Sequence, residues 1–138
     1  AQALVELLQE EFPSVEAYMS FTAQNGTTIS DGTAIEEVAE LIDKASQILA
    51  LGINCSSPSV YSSLLKKIAD ITDKPLVTYP NSGEVYDGQH QMWTQSADLS
   101  HTLLENTKIW HTFGAKVVGG CCRTRPNDIE SLSRGLRE

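Results

Sequence analysis

Three cysteines, Cys55, Cys121 and Cys122, have the widest chemical reach of any side chains in this 138-residue sequence. A thiolate is both a nucleophile and a soft metal ligand. Three is an odd number and too few for a disulfide scaffold, so the sulfurs read as metal ligands, nucleophiles or core packing in a reducing compartment, which points to the cytoplasm. Cys55 closes the apolar run Leu51-Gly52-Ile53-Asn54, and Cys121-Cys122 close Lys116-Val117-Val118-Gly119-Gly120. If both runs are parallel strands whose carboxyl ends share one rim, all three thiols arrive there. Zinc suits such a set, because it takes tetrahedral soft ligands and three protein ligands leave one position open for a substrate. Adjacent cysteines on a regular strand point to opposite faces, so Gly119-Gly120 would have to let the backbone turn both toward one ion. Buried core cysteines and a vicinal disulfide are the alternatives that spacing alone leaves open.

The elements that must position these residues follow from periodicity. Leu4, Leu8 and Phe12 have helical spacing, and the helix begins at Ala1 with no capping side chain, as though the chain started inside a longer helix. Residues 15–21 read as a strand and residues 22–33 as a polar loop. Val38, Leu41, Ile42, Ala45 and Leu49 mark one face of a helix over residues 34–49, and a second strand follows at 50–54. Pro58 suits the first turn of a helix running to residue 71. Residues 76–79 form a third strand, residues 80–97 a long loop rich in aromatic side chains, residues 98–113 a helix, residues 115–119 a fourth strand and residues 125–136 a final helix.

A helix followed by four strand-helix units implies parallel strands with helical crossovers. Every chemically suggestive group falls just after a strand, where barrel enzymes collect their sites. The expected fold is therefore half of a (β/α)8 TIM barrel, about four βα units preceded by a helix and spanning residues 1–138; an open flavodoxin-like parallel sheet is the alternative. The formal charge of -8 repels a phosphate backbone and argues against nucleic acid or an anionic membrane surface as partners. No run approaches the roughly 18 uninterrupted apolar residues that span a bilayer, and the first residues do not have the pattern of a targeting segment.

GINCSSP (residues 52–58), KPLVTYPNSGEVYDG (74–88) and GAKVVGGCCRTRPNDI (114–129), with SFT (20–22) and SDGT (30–33), resemble the homocysteine S-methyltransferase family. The resemblance runs along the whole chain but matches only the carboxyl-terminal half of a family member. It implies a barrel in which Cys55, Cys121 and Cys122 hold Zn2+, and methyl transfer from a sulfonium donor, S-methylmethionine or S-adenosylmethionine, to L-homocysteine, giving methionine. Homocysteine and the donor would be the small-molecule partners, and the amino-terminal half of the barrel a further partner. A noncatalytic half-barrel that binds zinc weakly, or needs that other half, is the competing reading.

With a sulfonium expected, Tyr79, Tyr86 and Trp93 could surround the cation, since ring faces attract positive charge; packing of Trp93 onto the rim is the alternative. Asn81 is the candidate oxygen donor for the open zinc position, as relatives are expected to use one, and a turn at Pro80-Asn81-Ser82-Gly83 would explain it equally. Asn54 is expected to support the metal ligands or orient the substrate's amino-acid end. Glu84 and Asp87 could meet an ammonium group, and Arg123 and Arg125 a carboxylate. His90 reads as a loop residue, and His101 and His111 as surface positions within a helix.

Overall fold

The computed structural model describes residues 1–94 and 101–137. Helix α1 (Gln2–Glu11) precedes strand β1 (Ala17–Phe21), and helix α2 (Ile35–Lys44) leads to strand β2 (Ile48–Asn54). Helix α3 (Pro58–Ala69) and strand β3 (Leu76–Tyr79) follow. Then come a small hairpin of β4 (Val85–Asp87) and β5 (Met92–Thr94), helix α4 (Leu103–His111), strand β6 (Ala115–Val118) and helix α5 (Pro126–Gly135).

Strands β1, β2, β3 and β6 form one sheet in that spatial order, and every pairing is parallel. Each strand thus lies beside the one before it. Parallel neighbours joined by right-handed crossovers place their helices on the same face when the order never reverses. That is the arrangement of consecutive barrel units; an open flavodoxin-like sheet would show a reversal in strand order. The half-barrel expectation is met in this sheet, and the flavodoxin-like alternative is not.

The helices cover one face of the sheet. Leu51 and Ile53 of β2, Leu76 of β3 and Ala115 of β6 share a core with Ile35, Val38 and Ile42 of α2 and with Tyr61, Leu64, Leu65 and Ile68 of α3. Trp110 of α4 is fully buried there and stacks on Tyr61 with ring centroids 4.6 Å apart. Burial pushes the Tyr61 hydroxyl pKa well above its ordinary value. Because side chains alternate along a strand, Ser20, Gly52, Asn54, Val77 and Tyr79 occupy the opposite face. Among the described residues no helix is long and apolar enough to cross a membrane.

Several boundaries differ from the expected ones, each for a local reason. Helix α2 stops at Lys44, because Ala45 is extended (φ -88°, ψ 98°), and Ile48 and Leu49 belong to β2 instead. An apolar residue at position 49 fits either period, so spacing could not separate helix from strand. Lys74 Nζ donates to the carbonyls of Ile42 and Ala45 at 2.6 and 2.7 Å, satisfying the end of α2. The expected loop over residues 80–97 contains the β4–β5 hairpin, with Tyr86 opposite Trp93. Helix α4 begins after Thr102, whose hydroxyl caps the Glu105 N–H while Glu105 returns a bond to the Thr102 N–H. His101 therefore precedes the helix and His111 ends it. The expected start of that helix at residues 98–100, and the end of the expected loop at 95–97, lie outside the described residues.

Gly52 of β2 faces Val77 of β3 in register. A Cβ at this position would overlap the carbonyl oxygen and side chain of Val77, its partner in register. Gly52→Ala should therefore cost about 1–3 kcal/mol through overpacking, read as a lower urea midpoint for the intact protein. An unchanged midpoint would show that this pairing is not held as described.

Candidate metal centre

The three thiol-bearing positions come from strands that are not neighbours. β2 and β6 flank β3, so their axes should lie about 9–10 Å apart, two strand spacings. Yet the Cα atoms of Cys55 and Cys121 are 5.3 Å apart. The convergence happens beyond the regular strands, where the chain after β3 is hydrogen-bonded on both sides. Cys55 N donates to Tyr79 O at 3.1 Å and Asn81 N to Ser56 O at 3.0 Å. On the other side, Gly119 N donates to Thr78 O at 2.9 Å, Cys121 N to Pro80 O at 2.7 Å and Ser82 N to Cys122 O at 3.0 Å. Residues 78–82 act as a central splint to which both cysteine turns are fastened.

Left-handed backbone turns the sulfurs toward each other. Cys55 has φ 46° and Arg123 φ 67°, conformations that a non-glycine residue adopts at a cost of about 1–3 kcal/mol. Gly119 and Gly120 leave strand geometry after Val118, as expected, but not through positive φ. Gly120 serves a close approach instead: a Cβ there would collide with the Thr124 side chain. Thr124 in turn donates from Oγ1 to Cys121 O at 2.7 Å, which tightens the turn.

The sulfur atoms of Cys55, Cys121 and Cys122 all lie within 4.8 Å of one another. Cys121 and Cys122 are 4.0 Å apart at Sγ, close to the roughly 3.8 Å expected for two thiolates on a tetrahedral zinc with Zn–S bonds of about 2.3 Å. Both adjacent cysteines thus face one point, as the metal reading requires. In this structure Cys55 and Cys121 are joined as a disulfide and Cys122 is free and exposed. Of the alternatives, buried core cysteines and a vicinal disulfide, neither describes this pair, which links positions 66 residues apart. Disulfide and metal site use the same atoms, and two-electron reduction converts one donor set into the other. The soft, clustered donors fit zinc in the reduced state.

The remaining candidates divide by position. Asn54 is the last residue of β2, and its carbonyl accepts from Ser56 Oγ at 2.8 Å. Asn81 sits on the splint, and its Oδ1 is buried with no hydrogen-bond partner among the described residues. Tyr79 closes β3, and its hydroxyl is hydrogen-bonded to Ser20 Oγ across the face opposite the helices. Tyr86 and Trp93 pair across the hairpin with ring centroids 5.2 Å apart; Tyr86 is half exposed and Trp93 partly buried. Glu84 is ion-paired to Arg123 at 2.5 Å, which raises the guanidinium pKa. Asp87 bonds the exposed His90 at 2.6 Å, and this bond holds its carboxyl below the usual range. Arg125 is the residue before α5, where its N–H donates to the Asp128 carboxylate at 2.7 Å.

One residue at the site escaped the sequence reading. Ser56 is only 4% exposed; its hydroxyl accepts from Ala23 N at 2.8 Å and donates to Asn54 O, while its carbonyl receives Asn81 N. It ties the ends of β1, β2 and β3 together beside Cys55. A serine next to a cysteine offers no periodic signal, so only its neighbours in space reveal the role.

Comparison with known proteins places this arrangement. The homocysteine S-methyltransferase family profile matches residues 1–136. The chain is 43% identical to homocysteine S-methyltransferase 1 of Arabidopsis thaliana, covering 99% of this chain and 42% of that protein. Among solved structures it is similar to the apo form of the homocysteine methyltransferase MmuM from Escherichia coli, with a TM-score of 0.79 and 35% identity, over 97% of this chain and 44% of that one. The metallated form of the same enzyme aligns with a TM-score of 0.77 and 34% identity, over 99% of this chain and 40% of that one. The chain thus spans about two fifths of the length of these relatives.

Ser56→Ala leaves the buried Ala23 N–H without its acceptor, a loss of about 1–3 kcal/mol. Thermal unfolding should show the lower stability, and competition with a chelator should show weaker zinc retention by the reduced protein. Zinc retention equal to the parent's would separate Ser56 from the positioning of Cys55.

Proposed function

The chain belongs to the homocysteine S-methyltransferase family, and from that premise we propose that the complete protein methylates L-homocysteine to methionine. The donor would be a sulfonium, S-methylmethionine or S-adenosylmethionine. In this reading residues 1–138 are the carboxyl-terminal half of a homocysteine-binding barrel domain, and the amino-terminal strands complete the pocket. The observation that carries the proposal is the three-sulfur cluster at the strand ends; that the Escherichia coli relative exists in a metallated form supports it.

Cys55, Cys121 and Cys122 would hold Zn2+, and the bound ion would supply the Lewis acidity that keeps a coordinated thiol deprotonated near neutral pH. The transfer balances simply. The homocysteine sulfur forms a bond to the methyl carbon, the donor's S–CH3 bond breaks, and its electron pair stays on a departing neutral thioether. No strong general acid is needed, so the work left to the protein is positioning and desolvation.

This chain's residues are suited to that work. The buried Asn81 Oδ1, without a hydrogen-bond partner among the described residues, would serve as an oxygen donor to the ion, a role that would satisfy an otherwise unpaired amide oxygen. Tyr79 is oriented by its bond to Ser20 and borders the pocket side of the sheet. Tyr86 and Trp93 present a tilted aromatic pair on the hairpin, to which a sulfonium would be drawn by about 0.5–2 kcal/mol. Asn54, at the end of β2, supports the Cys55 turn through its carbonyl. Residues on the open face also favour completion by further strands: Tyr18 is 58% exposed and Val117 53%.

Two outcomes test the proposal. Replacing Cys121 with serine in the complete protein should abolish both zinc retention, by metal analysis, and methionine formation; unchanged turnover would refute the assignment. In the reduced parent protein, added zinc should shield all three thiols from a chromogenic disulfide reagent, and a chelator should expose them again. Three thiols that react equally with and without zinc would remove the metal from the account.

A further inference from the structure

One pair of opposite charges borders the sulfur cluster, and its side chains are only partly withdrawn from solvent. Arg123 Nε donates to Glu84 Oε2 at 2.5 Å, with the side chains 43% and 24% exposed. The chain itself ties the pair to the thiols. Arg123 follows Cys122 directly, and Glu84 lies two residues after Ser82, whose N–H donates to Cys122 O at 3.0 Å. Arg123 also keeps φ at 67°, a conformation that glycine would adopt without steric cost. Strain of this kind at a site points to use of the side chain. The ion pair engages one of five guanidinium N–H groups and one carboxylate oxygen, so each partner retains binding capacity.

We propose that Glu84 and Arg123 receive the α-amino-acid head group of a substrate, the guanidinium taking its carboxylate and Glu84 its ammonium. The inference rests on the methyl-transfer reading above, in which homocysteine and S-methylmethionine both carry such a head group. A zwitterion presents its two charges on one carbon, which suits a cation and an anion already side by side. Solvent competes with an ion pair this exposed, so it opens readily. Insertion then replaces each partner by a group of the same sign, and no charge is left unpaired. A guanidinium can also meet a carboxylate through two parallel hydrogen bonds, which fixes orientation as well as charge.

The test uses the intact, reduced and zinc-loaded protein. Arg123→Gly suits the left-handed backbone and removes only the side chain; Glu84→Gln preserves shape and removes charge. Calorimetry would measure binding of L-homocysteine and of S-methylmethionine, each against its decarboxylated and its deaminated counterpart. The parent protein should prefer one of these amino acids over its decarboxylated counterpart by about tenfold, equivalent to about 1.4 kcal/mol. Arg123→Gly should bring that ratio close to one, and Glu84→Gln should do the same against the deaminated counterpart. The amino acid whose ratio collapses is the occupant. Zinc affinity, measured by chelator competition, should stay within about twofold in both variants. The proposal is overturned if the parent shows no preference, or if both variants keep the parent's ratios. Falling zinc affinity with persistent ratios would make the pair a strut for the sulfurs and would overturn it too. Head-group binding that depends on the pair, in a protein that never forms methionine, would sink the methyl-transfer reading and leave the receptor standing.

Discussion

The sulfur cluster exists because one short segment is hydrogen-bonded along both of its edges. Residues 78–82 continue the line of β3 past the end of the sheet and offer backbone groups to the Cys55 turn on one side and the Cys121-Cys122 turn on the other. Two strands that flank a third cannot bring their side chains into contact while all three remain regular. The splint lets them curl inward without leaving buried N–H and C=O groups unpaired, a condition that irregular backbone seldom meets. Left-handed geometry at Cys55 and Arg123 and the close approach of Gly120 to Thr124 complete the turn. These conformations are individually unfavourable and persist because so many bonds converge on them.

Drawing three sulfurs within 4.8 Å has two chemical outcomes that share the same atoms. Oxidised, Cys55 and Cys121 join and leave Cys122 exposed. Reduced, all three can serve one soft cation. Three thiolates would also concentrate negative charge at the rim, and the nearest cation along the chain is Arg123, itself paired with Glu84. The hairpin that carries Tyr86 and Trp93 follows β3 in the chain, and the Tyr79 hydroxyl at the end of β3 is hydrogen-bonded to Ser20. The rim thus combines a soft donor set with a charged pair, which is what holding an amino acid at its sulfur and at its head group would require.

Much of this is legible in the sequence. The four parallel strands, the helices between them and their sequential order followed from periodicity, because amphipathic spacing reflects a burial pattern that any packed sheet must satisfy. GINC and GGCC mark the three sulfurs that the fold brings within 4.8 Å of one another. Boundaries were less legible where an apolar residue satisfied two periods at once, as Leu49 did at the start of β2. The β4–β5 hairpin went unseen inside a stretch that reads as loop, since strands of three residues carry too little alternation to register.

The amino-acid sequence by itself determined which residues are candidates for the chemistry and that the cysteines follow strand ends, because residue type and local period are properties of short stretches. The tertiary structure alone decided that Cys55 meets Cys121 across an intervening strand, that Ser56 knots three strand ends together, and that Glu84 faces Arg123 rather than open solvent. Each of these contacts joins positions more than thirty residues apart. Their geometry depends on strand order, stagger and a few left-handed turns, and no local pattern encodes those; only the packing of the whole sheet against its helices sets them.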